Sequence, residues 1–394
     1  LINFNIFVQA FFNVQNTITG DEMIRKKNIV NNSLTRNYLT LAFIFLFCLA
    51  GTKDSILSQE VTESEHHEEK AFDPGTFIFD HIGDAYEWHI ATFGHVHVSI
   101  PLPVIVYSRE KGLQSFMSSK FHHGHEAFNG FFIESNEESP NKGKIVETLS
   151  DRRIVRPIDI SITKNVLSLF ISLALLMFIF ITVAKIYKRN QGKAPKGMQS
   201  LFEPLILFIR DDVAKASIQK NPDKYMPYLL TVFFFIFLNN LLGLFPFFPG
   251  GANLTGNIAV TVSLAVFTFL ITTFVGNKNY WMHMVNAPGV PWWLKIPIPL
   301  MPFVEIMGMF TKPFVLAVRL FANITAGHII ALVFYSLIFI FGSMNIYAGY
   351  GISVISIIFT VFMMMLELLV AFIQAYVFTL LSSLYFGLAT EEHH

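Results

Sequence analysis

The chain has 394 residues, of which 53% are hydrophobic and 14% charged, and its formal net charge is zero. Soluble domains carry about 25% charged residues, so this composition is that of a membrane protein. No long basic face with interleaved aromatics is present, which argues against a nucleic-acid partner. The single cysteine, Cys48, excludes an intrachain disulfide, and no G-x-x-x-x-G-K-[ST] run is found to cradle ATP.

Residues 1–50 read as an N-terminal extension with a signal-like segment. Arg25, Lys26, Lys27 and Arg36 precede an apolar run over 38–50, Met23 is a candidate start, and Cys48-Leu49-Ala50 is a tolerable cleavage site. A short uncleaved anchor is the alternative. Residues 51–159 contain no spanning segment. Ser, Glu and His dominate 51–70, the composition of a disordered stretch. Alternating apolar and polar residues at 87–90 and 95–100 predict strands, with Pro101 and Pro103 ending or edging the second. A small β-rich domain outside the cytoplasm is expected. It holds His81, His89, His95, His97, His122, His123 and His125. Their spacing is not that of a compact zinc site, and a polar strand face with a solvated loop is the simpler account, so no metal is assigned.

Residues 160–394 read as an all-α polytopic membrane domain of about five helices, ending in a long tilted hairpin. The first span is expected over 165–184. Lys185, Lys188, Arg189, Lys193 and Lys196 follow it and mark that end as cytoplasmic, which leaves the preceding domain outside. Residues 201–220 mix apolar positions with Arg210, Asp211, Asp212 and Lys215, as expected of a segment along the cytoplasmic interface. Further spans are expected over 228–248 and 255–275. A loop over 277–299 carries Trp281, Trp292, Trp293, Lys278 and Lys295, an interfacial belt. The final hairpin is expected over 302–341 and 353–386, with an outside turn at 342–351. Both arms exceed what an upright crossing needs.

The hairpin carries the charges that a membrane helix does not tolerate without reason. Arg319 sits mid-helix and cannot shed its proton. Such a cation at the bilayer centre costs about 2.5–3.5 kcal/mol on insertion scales, so it implies a partner or a pathway; snorkelling is the alternative, for which Lys312, two turns earlier, is better placed. Asn323 lies one turn on, on the same face, and Glu305, Lys312 and Arg319 form one stripe at spacings of seven if the helix is continuous through Pro313. Ala322 and Ala326 keep that face small enough for close approach by another helix. His328, nine residues from Arg319, falls on the opposite face. Glu367 and Gln374 share a face of the second arm. A fixed cation on one side and a titratable His/Glu set elsewhere is the layout of a proton path with an electrostatic gate.

These residues carry a resemblance. Pro302-x-x-Glu305-Ile306-x-Gly308-x-x-x-Lys312-Pro313, then Arg319-Leu320-Phe321-x-Asn323-x-x-Ala326-Gly327-His328, together with Asn240-Leu241-Leu242-Gly243 and the Glu-Glu-His ending, resembles the a subunit of the F-type ATP synthase membrane sector. The resemblance covers 165 to the C-terminus. It implies a proton-translocating stator subunit with two offset half-channels and no cofactor, partnered by rotor-ring c subunits, peripheral-stalk b subunits and, through the complex, the F1 head. It implies a bacterial inner-membrane location with the N-terminal domain periplasmic and the C-terminus cytoplasmic. By residue, Arg319 matches the essential arginine facing the ring carboxylates. Asn323, His328, Glu367 and Gln374 match the polar entry path, Glu305 matches the exit side, and Lys312 supports it. Many bacterial members carry Glu at the position of His328 and His at that of Glu367. The exchange here resembles mitochondrial members and keeps one imidazole and one carboxylate. The outer domain departs from the family's usual short N-terminus. A secondary transporter is the rival reading, but no internal repeat or matched pair of broken helices appears. A plain membrane anchor leaves Arg319, His328, Glu367 and Gln374 unexplained.

Overall fold

The computed structural model describes residues 74–75, 78, 82–93, 96–124, 126–136, 139–149, 153–189, 194–245, 250–285 and 300–391. The signal-like segment, the stretch at 51–70, His81, His95, His125, Trp292, Trp293, Lys295 and the final Glu-His-His lie outside these residues.

The part preceding the first long helix is built of strands. β1 (Glu87–Phe93) pairs antiparallel with β2 (Val96–Pro101). β3 (Pro103–Ser108) and β4 (Gly112–Met117) form a hairpin that β8 (Ile158–Asp159) joins beside β3, and β5 (Phe131–Ile133), β6 (Ile145–Thr148) and β7 (Ile154–Val155) form a separate sheet. Pro101 ends β2 and Pro103 opens β3, since proline has no N–H to give to a ladder. Val104, Val106, Phe121, Phe131 and Ile145 make a sealed core. Tyr86 is buried beside them. Its hydroxyl donates to the Asp159 carboxylate and accepts from the Ile145 N–H, and burial together with Asp159 pushes its phenol pKa upward.

Asp84 ties this unit to the helices: its carboxylate accepts from the N–H of Asn165 at 3.0 Å, in the first turn of α1 (Lys164–Arg189). That is a capping bond supplied from 81 residues away rather than by the helix itself. α1 runs past the expected 165–184, so Lys185, Lys188 and Arg189 ride on its last turns. Next come α2 (Met198–Phe208), a π-helical turn (Ile209–Ala214) and a last turn (Lys215–Ser217). Ile206, Ile209, Val213 and Ala214 are buried, whereas Asp211, Asp212 and Lys215 are exposed, as the mixed sequence requires. Arg210 and Lys215 flank Asp211 and hold its carboxyl down at about 2.

α3 (Met226–Leu244) is shorter than expected at its C-terminal end. α4 (Ile258–Val275) starts later than expected because Asn257 caps it, accepting from the Ala259 N–H at 3.0 Å. α5 (Lys278–Val285) fills the start of the interfacial stretch. α6 (Leu300–Met344) and α7 (Ile346–Thr390) have 45 residues each, about 68 Å, more than twice the hydrocarbon thickness. α6 continues through Pro313 without a break. Among the described residues, five helices, α1, α3, α4, α6 and α7, are long and apolar enough to cross a membrane.

The turn expected at 342–351 is corrected. Helix occupies both sides, and only Asn345 interrupts it, accepting from the Tyr347 N–H at 2.9 Å. Gly349 serves close packing there instead of a loop: a Cβ on it would stand 2.8 Å from the Gly342 Cα. α7 packs on α3, α4, α5, α6 and the 209–217 segment, and phenylalanines fill the seams. Phe180, Phe202 and Phe234 cluster between α1, α2 and α3, while Phe233 and Phe237 meet Phe372 of α7 edge-on.

Candidate functional site

The inward row of α6 is Leu316, Leu320 and Ile324, all buried in the bundle core. His328 continues that row one turn on, so the apolar pattern itself carries the imidazole inward. There its Nδ1 meets Glu367 Oε1 of α7 in a direct hydrogen bond. Glu367 is only 7% exposed, and a carboxylate so buried requires such a partner. Two glycines shape the space. A Cβ on Gly327 would lie 3.3 Å from Glu367 Oε1, and one on Gly243 of α3 would lie 3.6 Å from His328 Nε2 and 3.7 Å from the Ala252 carbonyl oxygen. The second imidazole nitrogen thus faces the C-terminal end of α3 and the turn after it.

A polar chain continues from that point. Asn240, one turn before Gly243, donates from Nδ2 to the Ala371 carbonyl at 3.1 Å, one turn beyond Glu367. Its Oδ1 accepts from the Thr255 hydroxyl at 2.6 Å. Gln374 is also buried, on the Glu367 face of α7. Seven residues from the His328–Glu367 pair along each antiparallel arm gives Gln374 on α7 and Phe321 on α6. Gln374 therefore stands level with the Arg319 turn, about 10 Å from the pair.

Arg319 points the other way. It is exposed, with Ala322, Asn323 and Ala326 exposed beside it, and it makes no hydrogen bond or ion pair among the described residues. Further along the same unbroken helix, Lys312 Nζ lies 5.9 Å from the Tyr385 ring centre, in a cleft lined also by Thr268, Thr272 and Tyr280. Tyr228 and Thr268 share a 2.8 Å hydrogen bond, and Ser382 adjoins Thr268 at 3.3 Å. Glu305 is half-buried near Tyr280. Burial first, and the Glu305 carboxylate second, raise that phenol's pKa. Along α6 the His328 pair lies about 14 Å to one side of Arg319. Lys312 and Glu305 lie about 10 Å and 21 Å to the other. Polar groups therefore occupy two offset regions with one cation between them. Each region can hold and move protons, and the cation favours ionisation of an acid brought near it.

Residues 166–387 match the family model described as ATP synthase A chain. The chain belongs to that family. Residues 77–160 separately match a family described only as a domain of unknown function. The chain is 49% identical over 239 residues to "ATP synthase subunit a 2" of Chlorobaculum tepidum, covering 59% of this chain and 64% of that protein. Over 243 residues it is 45% identical to "ATP synthase subunit a" of Chloroherpeton thalassium, covering 60% and 69%. Over 244 residues it is 48% identical to "ATP synthase subunit a 2" of Prosthecochloris aestuarii, covering 60% and 71%. The chain thus spans somewhat under two thirds of the Chlorobaculum relative's length.

Within this ATP synthase A chain fold, the residues singled out in the sequence divide into separate groups. His328 and Glu367 bond directly, and Gln374 shares their buried face. Asn323 does not join them; it stands with Arg319 on the exposed flank. Lys312 and Glu305 lie toward the opposite end of α6. Sequence reasoning did not assign Asn240, Gly243, Thr255 or Gly327 to the site. Asn240 in a phenylalanine-rich span was the available signal, since a buried amide in an apolar helix requires bonding partners.

Proposed function

We propose that the chain is the proton-translocating stator subunit of an F-type ATP synthase in a bacterial inner membrane. Its N-terminal domain is periplasmic and its C-terminus cytoplasmic. Partners are a ring of c subunits, peripheral-stalk b subunits and, through the complex, the F1 head. The observation that carries this reading is the division along α6: a buried, hydrogen-bonded His328–Glu367 pair inside, and Arg319 exposed on the opposite flank.

Protons enter from the outer side past Thr255 and Asn240 to His328. An imidazole accepts a proton at one nitrogen and releases one from the other. A proton arriving at Nε2 therefore displaces the Nδ1 proton to Glu367, and Gln374 carries the path toward the level of Arg319. There the proton passes to a ring carboxylate. An acid returning from the cytoplasmic side meets Arg319, whose fixed charge favours its ionised form and releases its proton toward Lys312 and Glu305. The same charge repels a bare proton and blocks a direct leak between the two regions. Each charge moved is worth about 2.3 kcal/mol per 100 mV of membrane potential, and this turns the ring.

The test is purification of the tagged chain from its native membrane. Co-elution with an oligomeric small-helix ring and an ATPase head is expected. Isolation of a stable chain free of both, from membranes that contain the ring, would overturn the reading in favour of a transporter or anchor.

A further inference from the structure

The sheet β4-β3-β8 buries apolar residues on one face and exposes them on the other. Its inner face presents Val104, Val106 and Phe116 to the domain core. The outer face follows from the register. Tyr107 pairs with Leu113 and Ile158, Ile105 with Ser115, and Pro103 with Met117. The ladder continues past β8, where Ile160 N–H donates to the Ile105 carbonyl at 2.9 Å and Ile162 N–H to that of Pro103 at 3.1 Å. Side chains two apart along a strand share a face. The outer face is therefore three rows: Leu113–Tyr107–Ile158, Ser115–Ile105–Ile160 and Met117–Pro103–Ile162. Eight of these nine residues are apolar or aromatic. Leu113 is 66% exposed, Ile160 59% and Ile158 56%. An antiparallel sheet facing water on one side alternates apolar-in with polar-out, and this one does not.

We propose that this face lies on the outer leaflet of the membrane, as a lipid-contacting surface of the extracytoplasmic domain. Continuity supports that occupant. Ile162 is two residues before Lys164, where the spanning helix α1 begins, so at most about 7 Å of chain separates the innermost row from it. The outermost row lies about 13 Å further along β8. The Asp84 bond to the first turn of α1 fixes the domain to the helix, so the sheet cannot swing away independently. The rim suits phospholipid. Tyr107 offers an amphipathic ring, Arg156 lies two residues before β8, and Arg109 lies in the β3–β4 turn. Both arginines are exposed and placed to reach headgroup phosphates. Contiguous exposed apolar surface of this kind marks a membrane or protein contact. The proposal rests on α1 crossing the membrane and is independent of the proton path.

The test uses the assembled complex in nanodiscs of phosphatidylcholine and phosphatidylglycerol. In a Cys48→Ser background, nitroxide labels are placed through Leu113→Cys, Ile158→Cys and, as an aqueous control, Ser135→Cys. The labels at 113 and 158 are expected to collide with oxygen severalfold more, relative to a nickel chelate, than the label at 135. Chelate access equal to that of 135 would put the face in water. Immobile labels closed to both reagents would put it against protein. Either result overturns the proposal. Photoactivatable phospholipid supplies a readout on the unsubstituted chain: adducts on β3, β4 and β8 are expected, and adducts confined to the spanning helices would refute it.

Discussion

Replacing Gly327 by alanine tests the geometry of the buried pair without removing any polar group. The added Cβ would stand 3.3 Å from Glu367 Oε1, closer than carbon ordinarily sits, and at an ordinary 3.5 Å from its Cδ and Cγ, so the carboxyl oxygen must retreat by a few tenths of an ångström. A misplacement of 1 Å in a reacting geometry lowers rate by about 100-fold, so a shift of roughly 0.3–0.5 Å corresponds to about a 4- to 10-fold loss. Gly243→Ala is the matched control. Its Cβ would lie 3.6 Å from His328 Nε2, an ordinary contact, and it should leave rate nearly unchanged. The assay is proton-driven ATP synthesis in vesicles, normalised to assembled complex, with passive proton flux through the stripped membrane sector as the second readout. Both readouts should fall for Gly327→Ala. Normal rates for Gly327→Ala, or a larger loss for Gly243→Ala at equal assembly, would refute the reasoning that the Glu367 position controls proton transfer.

Three further outcomes are expected. The double exchange His328→Glu with Glu367→His should retain more synthesis than either single exchange, because the pair bonds directly; strictly additive losses would show that the two do not couple. Reporter fusions at Glu147 and at His394 should report opposite sides of the membrane, and the same side for both would contradict the topology. Tyr86→Phe removes the donor to Asp159 and the acceptor for the Ile145 N–H, and should destabilise the strand domain by about 1–3 kcal/mol at neutral pH. Because the folded phenol pKa is raised, its contribution is complete below the unfolded value of about 10 and is lost as pH rises beyond it. Thermal melts of the whole chain should therefore show a shallower alkaline decline in Tyr86→Phe than in wild type; equal slopes would show that the buried phenol does not set it.

The helices were legible because apolar runs in a membrane protein are long and unambiguous, and Arg319 was conspicuous because charge there is expensive. Helix ends were less legible. Asn257 and Asn345 set two of them through capping bonds that composition does not reveal. Residues 342–351 read as a turn, but Gly349 is helical and its missing Cβ admits the backbone of Gly342. At the site, spacing placed Arg319 and His328 on opposite faces of α6, which the burial pattern matches. It could not separate Asn323 from His328 functionally, nor bring Asn240 and Thr255 to α7, because those contacts depend on how α3 packs. The apolar outer face of β4-β3-β8 was likewise illegible, since it emerges only when the register aligns three strands.

Arg319 bears the central claim, and proton-driven ATP synthesis by fully assembled complex tests it most directly. The account predicts that Arg319→Ala abolishes coupled synthesis while letting protons pass without rotation. Arg319→Lys should also fail, because a desolvated lysine can lose its proton and lacks the planar fork. Near-normal synthesis by Arg319→Ala would contradict the account and leave Arg319 a structural charge.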